Sequence, residues 1–320
     1  MNFLTLYAIP IKTLKQESHR LNTSKPTGQK PALLSPKTSI PNTDSWFEVP
    51  DEFTFSVSNS ISLRVYADTR PMNLKIADLE KGLILMLDGV ELVGEGIGFG
   101  VPIIRDAKNT FFSGTSRVLV SQQNGIFRIR KEYSMDRVSR ETLGNARLEN
   151  RKARVLIDYL SALYQRHRYL RFLSLKDLTS RLGIRARFVS VPSIGKVIVT
   201  YEVVDRKIRV HVDFGSISAD EVETLFVLNE QSSAYFRTYL DSDGSRFFDD
   251  RIGAWEDVTA EWASVLETQR NVGFRLRKVA NSVLCRGRES LRGSMDWIGL
   301  DYELARGTRI FEYEIDLLGA

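Results

Sequence analysis

The sequence predicts a mainly β fold: a large antiparallel β-sandwich carrying an inserted α-helical hairpin and a disordered N-terminal tail. Three observations lead there. From Trp46 onward apolar residues recur at every second position over most of the chain, which is the period of a half-buried strand. Strand patterns do not alternate regularly with helix patterns, so a parallel βαβ fold is disfavoured. One stretch, residues 140–183, changes to helical spacing, and residues 1–43 differ from the rest in composition.

The tail holds six Lys/Arg, one acidic residue (Glu17) and five of the nine prolines. Such a segment cannot bury enough apolar area to offset its ordering entropy, so disorder is expected from about residue 12 to residue 43. Residues 44–320 are read as a single domain. That body has 39 basic and 39 acidic residues (45 less 6, 40 less 1). The isoelectric point near 9.2 therefore reports the tail, and specific nucleic-acid binding is not expected.

No stretch approaches the roughly 20 apolar residues that span a bilayer. The run Phe3 to Ile11 has no basic residues before it and no small-residue cleavage pattern, which argues against a signal peptide. One cysteine, Cys285, excludes an internal disulfide framework and favours a reducing compartment, so a cytoplasmic location is expected. With His19, His167 and His211 as the only histidines, no metal site is expected. No cofactor motif is present, and none is expected to be used.

In chain order, Phe53, Phe55 and Val57, then Ile61, Leu63 and Val65, read as a hairpin turned at Asn59-Ser60. Gly82 to Gly89 is a continuous apolar run stopped by Asp-Gly, as in a strand buried on both faces. Val118 and Val120, then Phe127, Ile129, Lys131 and Tyr133, continue the two-residue period. Leu148, Leu156, Tyr159, Leu160 and Leu163 fall at helical spacing, and Ser174 to Asp177 can cap a second helix that Gly183 stops. This hairpin is basic, with eleven Arg/Lys against four acids over residues 137–183. Val197 to Val203 and Ile208 to Phe214 then form a hairpin about Asp205-Arg206, and further strands are expected at 225–228, 235–240, 274–276 and 311–317. Residues 255–267 fit a helix or a strand equally well. No fixed-period repeat is visible, which disfavours a propeller or solenoid.

Four features invite chemistry. Gly94-Glu-Gly-Ile-Gly-Phe-Gly100 alternates glycine with larger residues; its spacing matches neither a dinucleotide fingerprint nor a phosphate loop. Alternating glycines leave one strand face bare for a backbone, an aromatic ring or a ligand, and Glu95 and Arg105 stand at the rim of any such platform. His211 lies between Arg209 and Asp213 on one strand face, and imidazole titrates near neutrality, so His211 is a candidate general acid or base. Asp241, Asp243, Asp249 and Asp250 offer oxygen ligands but lack calcium-loop spacing, and Asp-Gly is ordinary turn chemistry. Cys285 reads as a small buried filler rather than a nucleophile.

The segment Gly94–Gly114, and Trp297-Ile-Gly-Leu-Asp-Tyr-Glu-Leu304 with its closing strand, resemble β-super-sandwich proteins of the galactose mutarotase-like kind. The resemblance covers about a fifth of the chain. It implies a sugar-handling concave sheet in which aromatic rings stack on the sugar and carboxylate, His and Arg side chains contact its hydroxyls. No family catalytic residue matches a position here, so none is carried over.

Two functions are expected on these grounds. In the first, a sugar or oligosaccharide binds a sheet face, with His211 as acid or base, Glu95 as its catalytic partner, and Arg105, Arg209 and Asp213 holding substrate. In the second, the chain is a non-enzymatic scaffold whose basic tail and helical hairpin bind an acidic protein partner or an anionic polymer. The sequence leaves open whether there is any turnover.

Overall fold

The computed structural model describes residues 43–67, 80–94, 96–106, 109–143, 184–218, 222–253, 255–267, 269, 272–291 and 295–319. Three sheets organise them, and every strand pairing described below is antiparallel.

The ten-stranded sheet runs in the order β1 (Thr43–Glu48), β8 (Thr115–Gln123), β9 (Ile126–Ser134), β12 (Lys196–Val204), β13 (Lys207–Asp213), β22 (Ile310–Leu318), β19 (Gly273–Arg277), β18 (Trp262–Glu267), β15 (Phe236–Asp241) and β16 (Arg246–Phe248). The eight-stranded sheet runs β11 (Ile184–Ser190), β10 (Arg137–Leu143), β7 (Thr110–Phe112), β6 (Gly98–Asp106), β14 (Val222–Ser232), β21 (Met295–Leu304), β20 (Ser282–Leu291) and β17 (Glu256–Asp257). A small sheet holds β2 (Glu52–Ser56), β3 (Ile61–Tyr66), β4 (Ile84–Leu87) and β5 (Val90–Glu91).

Local chemistry sets the hairpins. Asn124 and Gly125 both take positive φ (51° and 79°), the conformation that turns β8 into β9 without splaying the strands. Asp205 (φ 52°) does the same between β12 and β13, and Asp88-Gly89 ends β4. The alternating residues then fall where the period places them. Val197, Val199, Tyr201, Ile208, Val210 and Val212 are all buried, while Arg209, His211 and Asp213 point the other way.

One contiguous core joins Val118, Ile129 and Val210 of the ten-stranded sheet to Ile104, Val227 and Leu300 of the eight-stranded sheet. The two large sheets thus pack face to face as a sandwich, and Leu63, Val65 and Leu85 of the small sheet close one side of the same core. A second cluster, with Ile103, Phe226, Leu228, Trp255, Cys285 and Trp297 among its members, lies on the opposite face of the eight-stranded sheet.

One expectation changes, one lies almost wholly outside the described residues, and one open alternative is settled. Residues 140–143 belong to β10, where Leu143 pairs with Ile184 of β11, so they do not begin a helical hairpin; the remainder of that expected insertion, 144–183, lies outside the described residues. The reason is physical: a strand is stabilised by its cross-strand partner, and here that partner is too distant in sequence for local periodicity to register it. Among the described residues the single helical element is the 3-10 turn Asp249–Arg251, and no helix is long and apolar enough to cross a membrane. The expected tail falls outside the described residues except Thr43, which opens β1. Within 255–267, Glu256–Asp257 and Trp262–Glu267 are strands.

Candidate functional site

The glycine-rich segment is filled by the protein itself. A Cβ on Gly96 would meet the Glu230 carbonyl oxygen at 2.7 Å and one on Gly98 that of Leu83 at 2.8 Å, while Gly82, beside the segment, is blocked in the same way by the Phe99 carbonyl. At Gly100 (φ +76°) it would meet the Tyr201 hydroxyl oxygen at 2.6 Å. Backbone and an aromatic ring, two of the three occupants that alternating glycines admit, take up the bare face.

Gly100 is also the extra residue of a bulge. Leu228 pairs with Val101 but Asn229 with Phe99, so β6 carries one residue more than β14 at this point. Asn229 fills the irregularity. Its Oδ1 accepts the Gly100 N–H (3.1 Å) and the Tyr313 hydroxyl (2.7 Å), and its Nδ2 donates to the Leu300 carbonyl (3.1 Å). Its backbone N–H donates instead to Asp301 Oδ1, at 2.7 Å.

Asp301 stands on the face of the eight-stranded sheet that looks away from the sandwich core. The register makes this clear. Val227 pairs with Tyr302 and Glu230 with Gly299, so Phe226, Leu228 and Glu230 share one face with Trp297, Gly299, Asp301 and Glu303. Cys285 and Gly287 of β20 lie directly opposite Asp301 and Gly299. Two facing glycines leave a slot, and the Trp255 ring fills it: a Cβ on Gly287 would meet that ring at 2.4 Å, and one on Gly299 would meet it at 3.0 Å and the Glu230 Cγ at 2.9 Å.

The result is a pair of carboxylates, Glu230 and Asp301, both fully buried, beside Trp255 and Trp297. They are diagonal neighbours on adjacent strands, a relation that sets their backbones about 7–8 Å apart. Burial pushes the Cys285 thiol pKa well up, and the charges of Asp257, Asp301 and Glu303 add to the effect. The sulfur lies 3.7 Å from Asp257 Oδ1. In so acidic and enclosed a place the thiol stays protonated, in keeping with a filler rather than a nucleophile.

The residues singled out in the sequence are divided between two faces. Arg105 is on this outer face of the eight-stranded sheet, its guanidinium carbon 5.7 Å from the Phe226 ring centroid. Arg209, His211 and Asp213 lie on the outer face of the ten-stranded sheet, with the whole sandwich between them and Arg105. There His211 Nδ1 meets Glu312 Oε1 at 2.8 Å, Arg209 approaches Glu314 at 3.9 Å, and Asp213 Oδ1 accepts the Gly215 N–H at 2.6 Å. Arg209 and His211 belong to an exposed cross-strand charge ladder with β22, and Asp213 closes the turn at its end. Glu95 lies outside the described residues. Asp241 serves its turn, with Oδ1 accepting the N–H groups of Asp243 (3.1 Å) and Ser245 (2.9 Å).

The chain is faintly similar to galactose mutarotase-related structures. It aligns with the galactose mutarotase related enzyme of Lactobacillus acidophilus at 7% identity, over 84% of this chain and 97% of that one, with a TM-score of 0.35. A protein of Synechocystis sp. PCC 6803 aligns at 9% identity over 90% of this chain and 100% of its own, with a TM-score of 0.36. Neither a protein-family model nor a curated protein matches the sequence.

Glu230, Asp301 and Trp255 escaped the sequence reading. Glu230 follows a short apolar run, Leu225 to Leu228, whose far end carries no mark of being buried. Asp301 did have a signal: it sits between Leu300 and Tyr302 in a segment with two-residue apolar spacing, which places it on the face opposite to theirs.

Proposed function

We propose that this protein handles carbohydrate through the outer face of its eight-stranded sheet, with Glu230 and Asp301 as the acid/base pair and Trp255 and Trp297 as the rings that stack on the sugar. The observation that carries the reading is the pairing of two fully buried carboxylates, diagonal across β14 and β21, with two indole rings on the same face. Paired carboxyl groups serve as acid and base, or acid and nucleophile, in enzymes that act at a glycosidic carbon. Indole rings supply apolar area for the C–H faces of a sugar ring. Because Trp255 now occupies the slot above Gly287 and Gly299, ligand entry requires that ring to move.

Saturation-transfer NMR and calorimetry with neutral, acidic and amino sugars test this, with polarimetry as the readout of anomer interconversion. Binding in the parent, lost in Glu230→Gln and weakened in Trp255→Phe, is the expected result. An absence of binding across all three sugar classes would sink the reading.

The segregated charge favours a second reading, a scaffold that meets an acidic partner through residues 1–43 and the basic stretch around Arg151, Lys152 and Arg154. It requires association that weakens steeply with salt. Binding that survives both deletion of the tail and neutralisation of those three residues would exclude it.

A further inference from the structure

We infer that Tyr313, a residue of the opposite sheet, is a positioning residue for the Asp301 carboxylate, acting through Asn229. The inference rests on the proposed role of Asp301, and its chain of contacts is continuous. The Tyr313 hydroxyl donates to Asn229 Oδ1 at 2.7 Å, and the Asn229 N–H donates to Asp301 Oδ1 at 2.7 Å. One residue thereby joins the two faces of a sheet: its side chain is held in the core between the sheets, and its N–H holds a carboxylate on the far side.

The geometry explains why the burden falls on Asn229. The bulge at Gly100 breaks the register between β6 and β14, so the backbone here lacks the regular ladder that holds its neighbours. The orientation of the Asn229 peptide is set by its side-chain bonds to Gly100, Leu300 and Tyr313. Tyr313 contributes a hydroxyl that stays protonated, because burial raises its pKa well above the ordinary value. It donates the same bond over the whole neutral range.

Asp301 does not titrate alone. Glu230 is its diagonal neighbour on β14, Glu303 follows it along β21, Cys285 faces it from β20, and Asp257 of β17 faces Cys285. Asp301→Asn is therefore needed to assign the titration.

The test is an NMR titration of the Asn229 amide in the full chain, which needs no sugar. The amide shift follows the ionisation of the carboxylate it donates to, and the response disappears in Asp301→Asn. In Tyr313→Phe the amide is held less firmly, the charged carboxylate loses part of its donor, and the midpoint moves to higher pH by about half a unit. Ile129→Val, a change of core packing on β9, three strands from β22, leaves the midpoint where it was. An unmoved midpoint in a folded Tyr313→Phe overturns the inference, as does a parent amide that does not respond to pH. If Tyr313→Phe does not fold, Asn229→Ser takes its place, with the same outcomes. Sugar affinity, measured separately on the same variants, reports on the proposed function and not on this coupling.

Discussion

The Lys131 ammonium lies 3.1 Å from the Glu80 carboxylate, and neither side chain reaches water. Lys131 also donates to the carbonyls of Tyr66 (2.9 Å) and Lys81, and Ser116 donates to Glu80 at 2.5 Å. A lysine on the inward face of β9 thus fastens the small sheet and the chain around Lys81 to the ten-stranded sheet.

Removing one member of this pair leaves a buried charge without its counter-ion. Lys131→Met and Glu80→Gln are each expected to lower the unfolding free energy by about 3–5 kcal/mol. The double variant should lose clearly less than the sum. Urea denaturation of the four proteins measures the coupling, and additive losses would show that the two groups act independently.

Gly100 faces a backbone penalty and a steric one at once. Its φ of +76° and the Tyr201 hydroxyl 2.6 Å from where a Cβ would stand predict that Gly100→Ala destabilises by at least about 2 kcal/mol. In a Tyr201→Phe background the loss should shrink, since the nearest atom is gone. A Gly100→Ala protein as stable as the parent would refute this account of the glycine strand.

Among the described residues, buried tyrosines make the fold sensitive to alkali. Burial raises the pKa values of Tyr133, Tyr201, Tyr302 and Tyr313 above the ordinary value of 10. Above that value the unfolded chain releases phenolic protons that the folded chain keeps, so the unfolded state binds fewer protons and stability falls as pH rises. Their contribution is complete below about pH 10 and declines by about 1.4 kcal/mol per pH unit for each tyrosine. Tyr302→Phe should reduce that slope by one proton in denaturation series run from about pH 9 to 11.5. An unchanged slope would mean that this phenol ionises in the folded state.

The charge ladder around His211 belongs to the solvent face. His211→Ala and Arg209→Ala are each expected to change stability by less than about 1 kcal/mol, as exposed ion pairs do, and to leave sugar affinity unaltered. Loss of binding in His211→Ala would return the functional site to the ten-stranded sheet.

The class of fold, most of the strands and the inward faces of those strands were legible in the order of the residues alone. Two-residue alternation reports directly on which side of a sheet is buried: it placed Val210 inside and Arg209 outside, and it set even Lys131 among inward residues. It could not say what Lys131 meets there, because Glu80 arrives from a separate part of the chain. That Arg105 and His211 stand on opposite outer faces, that Leu143 pairs with Ile184, and that Glu230 and Asp301 are neighbours came to light in the folded chain alone. Those facts depend on strand order and register across residues far apart in the chain, and they are set by cross-strand pairing and shared burial, forces that leave no periodic trace within either strand alone.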